Sequence, residues 1–277
     1  MLPAIHDLIE MALREDIVTG DITSESTIPD DALAKAVIKS KDIGIVAGLD
    51  VAGEVFRAVD PSVDFNKLIS DGNEITKGQE VATAKGKARS LLTAERTVLN
   101  FLQRLSGVAT TTSKYVKAVS DYNAKIIDTR KTTPGWRALE KYAVRIGGGH
   151  NHRFGLYDAV LIKDNHISVA GSITKAVTKA RERIPHTMKI EVETESLDQV
   201  LEAIESKADI IMLDNMSLEM MSEAVKLIAG KALVEASGGI RLDSITAVAA
   251  TGVNLISVGA LTNAAMPLDI SMDIIPF

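Results

Sequence analysis

The sequence predicts an α/β protein in which a mixed N-terminal part precedes a parallel sheet made of strand–helix units. Three observations carry that prediction. Past about residue 120, short apolar runs alternate with amphipathic stretches, the pattern of strands covered on both faces by helices. Six such runs begin near residues 125, 158, 188, 209, 232 and 254, at intervals of roughly 21 to 33 residues that suit right-handed βαβ units. The first 107 residues have another rhythm, with short β-rich segments divided by glycine turns.

The elements follow in order. An opening helix is expected from about Pro3 to Arg14, then a polar loop at GDITSES. AKAVIKS, GIVAG, DFNKLI and EVATAKG read as β-rich segments, with LDVAGEVFRAV as a helix between them. From Ser90 to Leu105 a helical pattern puts Leu91, Leu92, Val98, Leu99, Leu102 and Leu105 on one side and Thr93, Arg96, Asn100 and Gln103 in a polar stripe, and Gly107 is expected to end it. That places a domain boundary between residues 107 and 108, with a second domain over 108–277. Within it KIIDTR, DAVLIK, MKIEVE, DIIMLD, ALVEAS and NLISVG are the six strands, and six units predict a barrel or part of one.

Composition narrows the function. Net charge is −6 and aromatic residues make up 4%, so the basic face and stacking rings of a nucleic-acid binder are missing. Small molecules are the expected partners, with no nucleic acid and no membrane. There is no cysteine, hence neither disulfide nor thiolate metal site, which suits a reducing cytosol. The opening MLPAIHDLIEMALRED has no basic leader region, and no run approaches the ~18 apolar residues of a membrane span, so a cytoplasmic protein is expected.

In a parallel α/β barrel the C-terminal strand ends converge on one mouth. Those ends are Arg130 and Lys131, then Lys163, Glu193, Asp214, Ser237-Gly238-Gly239 and Val258-Gly259. Charges also mark where strands meet solvent, but five such ends in register point to a site. SGGI and SVGALT put small residues at turns after the last two strands, where free backbone N–H groups can face a phosphate. In GGGHNHR, His150 and His152 have the spacing of a metal pair, yet Arg145 and Arg153 flank it and the stretch holds no acid. An anion-handling role for His152 and Arg153 is therefore expected, with His150 structural.

TRKTTPGWRALEKYAVRIGGGHNHRFGLYDAVLIKDNHI resembles the central signature of the quinolinate phosphoribosyltransferases. EDIVTGDITS, AERTVLNFLQRLSG, EVETESL, IMLDNM, SGGI and SVGALT resemble further family segments in the same order. The resemblance implies an α/β sandwich followed by an incomplete, six-stranded α/β barrel, with the tail near MPLDISMDIIPF returning to the first domain. It implies a homodimer, in some members a hexamer, that makes nicotinate mononucleotide, pyrophosphate and CO2 from quinolinate and phosphoribosyl pyrophosphate. By position Arg130, His152, Arg153 and Lys163 should meet the quinolinate carboxylates, with Arg96 supplied by the partner subunit. Lys131 and Lys163, beside Thr129, should serve phosphoribosyl pyrophosphate. Glu193 and Asp214 should hold ribose hydroxyls and Mg2+, and Ser237, Gly238, Gly239, Val258, Gly259 and Ala260 the phosphate. Lys131, Lys163, Glu193 and Asp214 are the expected catalytic set, Lys131 being a candidate to protonate the ring carbon after decarboxylation.

The residue types suit this chemistry. Guanidinium forks pair with carboxylates and lysines act as point charges on phosphates. Two carboxylates supply hard oxygen ligands for Mg2+. Two rival readings stand beside it: a Schiff-base aldolase using Lys163, and a family paralogue with a changed ligand.

Overall fold

The computed structural model describes residues 3–277. In chain order its first elements are α1 (Pro3–Ile17), α2 (Ile22–Thr27), β1 (Leu33–Ser40), β2 (Gly44–Ile45), α3 (Leu49–Val59), β3 (Asp64–Lys67), β4 (Glu74–Ile75), β5 (Glu80–Lys87) and α4 (Ala88–Ala118). There follow β6 (Lys125–Ile127), α5 (Arg137–Ile146), β7 (Val160–Ile162), α6 (Asp164–Ala170), α7 (Ile173–Arg181), β8 (Ile190–Thr194) and α8 (Leu197–Glu205). The last are β9 (Ile210–Asp214), α9 (Leu218–Ile228), β10 (Leu233–Ser237), α10 (Ile245–Ala250), β11 (Leu255–Ser257), α11 (Ala260–Asn263) and β12 (Ile270–Pro276). The chain divides into two compact units, one of residues up to Ser113 with Thr132–Gly148 and Ala264–Phe277, the other of Lys114–Lys131 and Gly149–Asn263.

The first unit is built on an antiparallel sheet in the order β12-β1-β5-β3, with β2 and β4 forming a small second pair. Ala34, Ala36 and Ile38 of β1 are fully buried at every second position, as one sheet face requires. α3 buries Leu49, Val55 and Phe56, and the Asp71 carboxylate accepts the N–H groups of Gly48 and Leu49 at its start.

Two sequence expectations fail in this unit. The stretch 20–26 is not a loop throughout: α2 starts after Asp21, whose side chain accepts the Ser24 N–H at 3.0 Å. Nor does Gly107 end the long helix, because α4 continues to Ala118. A Cβ at Gly107 would come within 2.1 Å of the Met266 carbonyl oxygen, so close packing explains the glycine where helix termination does not.

The second unit is a parallel sheet in the order β6-β11-β10-β9-β8-β7. Its apolar runs are buried: Val192, Ile211, Leu213, Ala236 and Ile256 have no exposed surface. Serine N-caps at Ser172, Ser196 and Ser217 accept the N–H groups of Lys175, Gln199 and Met220 and so start α7, α8 and α9. β6 and β7 are the two margins and do not pair with each other. Beside β6, His150 donates its N–H to Ile126 O and accepts from Asp128 N, so the chain at His150 continues the sheet by one bridge. Among the described residues, no helix is long and apolar enough to cross a membrane.

Candidate active site

All six parallel strands end on one cavity of about 940 Å3. It is lined by Thr129, Arg130, Lys131, His152, Arg153, Lys163, Glu193, Asp214, Ser237, Gly238, Gly239, Gly259 and Ala260, so the second unit gathers these thirteen expected residues. Val258 is buried and lies behind the lining. Arg96 is exposed on α4 in the first unit and does not line the cavity.

One side of the cavity is cationic. Arg153 is partly buried, and its guanidinium is pushed below its usual pKa first by burial and next by the charge of Arg130. Glu191 and Asp158 oppose that push. An arginine stays protonated through such a shift, so two mutually repelling cations face the cavity, the electrostatic condition for an anion. Arg153 Nη1 donates to Ala159 O at 3.1 Å, which fixes one end of the fork. Behind it the fully buried Asp128 accepts from Asn151 Nδ2 at 2.7 Å and His152 N at 2.8 Å, holding the segment beside β6.

His152 lies deeper. Its Nε2 is 3.0 Å from Glu191 Oε2 and 3.7 Å from Glu235 Oε2, while its Nδ1 accepts the Arg153 N–H at 2.6 Å. Burial raises the Glu235 carboxyl well above the usual carboxylate range, and the neighbouring Glu191 charge adds to the effect. Neither acid stands at a strand end, so the strand-end pattern passes over both. Strand alternation offered the signal: Glu191 sits two before Glu193 and Glu235 two before Ser237, so each pair shares the inward face.

The same cavity also holds acids. Glu193 Oε2 takes a hydrogen bond from Lys163 Nζ at 2.6 Å. Asp214 Oδ2 accepts from Asn215 Nδ2 at 2.8 Å, and Asn215 N donates to Ser237 O. Gly238 has φ +93°, and a Cβ there would fall 2.2 Å from Asn215 Oδ1, so both conformation and space demand glycine. Lys131 is anchored through its backbone, its N–H donating to Thr129 Oγ1 and its carbonyl accepting from Thr262 Oγ1. Its side chain passes Gly259, where a Cβ would sit 3.1 Å from Lys131 Cδ.

Known families match both parts of the chain. Residues 21–106 match the quinolinate phosphoribosyl transferase N-terminal domain, and residues 108–273 match the C-terminal domain of the same enzyme. The chain belongs to the quinolinate phosphoribosyl transferase family. Among its relatives, the probable nicotinate-nucleotide pyrophosphorylase [carboxylating] of Bacillus subtilis is 49% identical over 98% of this chain and 93% of its own length. The protein of the same description from Synechocystis is 47% identical over 98% and 92%. The crystal structure of NadC from Streptococcus pyogenes superposes with a TM-score of 0.96 at 44% identity, over 100% of this chain and 99% of that one. That of the nicotinate-nucleotide pyrophosphorylase from Francisella tularensis does so at 0.95 and 46%, over 99% and 98%. Family membership therefore spans both units, and the cavity lies within the C-terminal family domain.

Proposed function

We infer that this chain joins quinolinate to the phosphoribosyl group of phosphoribosyl pyrophosphate, releasing pyrophosphate and CO2 and forming nicotinate mononucleotide. The observation that carries the reading is one cavity that brings Arg130, Arg153 and Lys163 together with Glu193 and Asp214. A dianionic pyridine dicarboxylate satisfies the cations, and a ribose that develops positive charge satisfies the acids. On this reading Arg130, Arg153 and Lys163 meet the carboxylates. Gly238, Gly239, Gly259 and Ala260, with Ser237 and Val258, border the 5-phosphate. Lys131 faces phosphoribosyl pyrophosphate. His152 stays a wall of the carboxylate pocket, since both of its ring nitrogens have protein partners.

Glu193 and Asp214 bring carboxylate oxygens of two adjacent strands to the cavity, the hard donors that fit Mg2+. Mg2+ there would neutralise charge on the departing pyrophosphate. The chain's own residues do the rest. As the ribosyl C1–O bond breaks, its electron pair leaves with pyrophosphate, and Glu193 and Asp214 stabilise the cationic sugar by their negative charge. The pyridine nitrogen donates its pair to C1, the new C–N bond forms, and the ring becomes cationic. When the adjacent carbon loses CO2 the bonding pair stays on that carbon, where the positive ring nitrogen stabilises it, and a proton then adds to that pair, with Lys131 the candidate donor. Arg96, exposed on α4, is assigned to the cavity of a partner subunit in a homodimer.

The test is incubation with quinolinate, phosphoribosyl pyrophosphate and Mg2+, following CO2 and nicotinate mononucleotide. Nicotinate as the control substrate asks for the second carboxylate. Equal turnover of nicotinate, or no CO2 from quinolinate, would refute the reading.

A further inference from the structure

Two acids in the second unit have no part in the roles above. Glu191 on β8 and Glu235 on β10 are 3% and 1% exposed, and the Oε1 of each has no hydrogen-bond partner. Burying two acid side chains at an anion site is costly, and apolar side chains of similar volume would be the more stable choice. Such a pair calls for a geometric reason.

His152 supplies it. One face of its ring meets the acids through Nε2, at 3.0 Å from Glu191 and 3.7 Å from Glu235. The other meets the backbone N–H of Arg153 through Nδ1, at 2.6 Å. A ring nitrogen that accepts a hydrogen bond carries no proton, so the imidazole holds its hydrogen on Nε2, facing the acids. This decides between two uses of the cluster. His152, Glu191 and Glu235 have the donor types of a cation site, their ligand atoms within 4.8 Å of one another. A protonated Nε2 has no lone pair for a cation, and a ligating histidine would donate through Nδ1, the reverse of what is found. The cluster is a hydrogen-bonded relay from Glu191 to the ring and from the ring to the Arg153 backbone; Glu235, at 3.7 Å, is beyond hydrogen-bond reach of the ring. Asp128 holds the preceding two residues and Ala159 O the guanidinium, so the relay completes the clamp on Arg153.

We propose that Glu191 is a positioning residue for the carboxylate pocket, acting through His152 to fix the Arg153 main chain and so the aim of its guanidinium. The proposal rests on the assignment of Arg153 to quinolinate. Its signature is selective. Glu191→Leu removes the acceptor for Nε2 and is expected to raise the KM for quinolinate about tenfold or more, while the KM for phosphoribosyl pyrophosphate stays within about twofold. Glu191→Gln keeps an acceptor of the same shape and should recover most of that loss. In an Arg153→Lys background Glu191→Leu should add less than about twofold, since both act on one interaction. His152→Asn keeps an acceptor near Arg153 N but breaks contact with the acids; it should reproduce the Glu191→Leu effect and serves if that protein does not fold. Multiplying effects in the double variant, equal rises in both KM values, or no rescue by Glu191→Gln would each overturn the proposal. So would a stoichiometric transition metal in the purified enzyme that Glu191→Gln removes. Arg153→Lys with an unchanged quinolinate KM would remove the underlying assignment as well. A raised KM there with a silent Glu191→Leu overturns the relay alone.

Discussion

Lys163 Nζ lies 2.6 Å from Glu193 Oε2, so one cation and one acid of the cavity form an ion pair. The two partners differ in setting: the Glu193 side chain is 9% exposed and that of Lys163 is 46% exposed. Removing the lysine leaves a nearly buried carboxylate unpaired, which costs more than removing both charges. Lys163→Ala should therefore lose about 1–3 kcal/mol of stability, and Lys163→Ala/Glu193→Gln should regain part of it. Urea unfolding of the three proteins checks this, and a double variant less stable than Lys163→Ala would contradict it.

Arginine at position 153 does what lysine cannot. Its fork offers two parallel N–H groups to a carboxylate, where an ammonium is a single point charge. Arg153→Lys should cost about 2–3 kcal/mol of binding to the reacting complex, or about 30- to 150-fold in kcat/KM for quinolinate. Wild-type kinetics in a folded Arg153→Lys protein would take Arg153 out of the pocket.

Asp214→Asn keeps shape and removes charge. If Asp214 stabilises the ribosyl cation, kcat should fall at least about tenfold while quinolinate affinity changes little. Collapsed quinolinate binding with turnover preserved would mean that Asp214 serves the pyridine and not the ribose.

Gly238 combines φ +93° with a Cβ position 2.2 Å from Asn215 Oδ1. Gly238→Ala must displace Asn215, the residue that hydrogen-bonds Asp214. The KM for phosphoribosyl pyrophosphate should rise about tenfold or more, and more than that for quinolinate. An alanine enzyme with unchanged kinetics would show that the turn tolerates a shift and does not shape the site.

Arg96 can be tested by mixing. Arg96→Ala and Lys163→Ala homodimers should each be nearly inactive. If Arg96 serves the partner's cavity, a mixed dimer puts both lesions in one site and leaves the other whole. Equal mixing with full exchange then restores about a quarter of all sites under two-fold symmetry. No recovery, with exchange shown by tagged subunits, would mean that Arg96 does not act across an interface.

Much of this site is legible in the sequence, and the reason is topological. A parallel sheet delivers its strand ends to one mouth, so Lys163, Glu193 and Asp214 are found from strand periodicity alone. α3 is legible from its apolar spacing, whereas the Asp71 carboxylate that meets its first N–H groups comes from a distant part of the chain. What periodicity does not carry is the packing that makes an exception necessary. Gly107 has the sequence appearance of a helix stop and is an interior residue against Met266. Glu191 and Glu235 stand at inward positions where apolar residues are the rule, and only His152, brought alongside by a loop, explains them. His152 in turn looks like a free anion ligand until both of its nitrogens are seen to be engaged.

The pairing of β1 with β12 has a consequence for biogenesis. Ala34 pairs across the ladder with Pro276, roughly 240 residues later, a separation that makes this contact among the slowest to form. While the ribosome is still translating the parallel sheet, β1 has one unpaired margin, an open template for any passing strand. A nascent chain stalled before residue 270 should thus be a chaperone client, and an in vitro refolding yield should fall steeply as protein concentration rises. Fusing β12 ahead of β1 through a short turn would shorten that wait without altering the catalytic cavity.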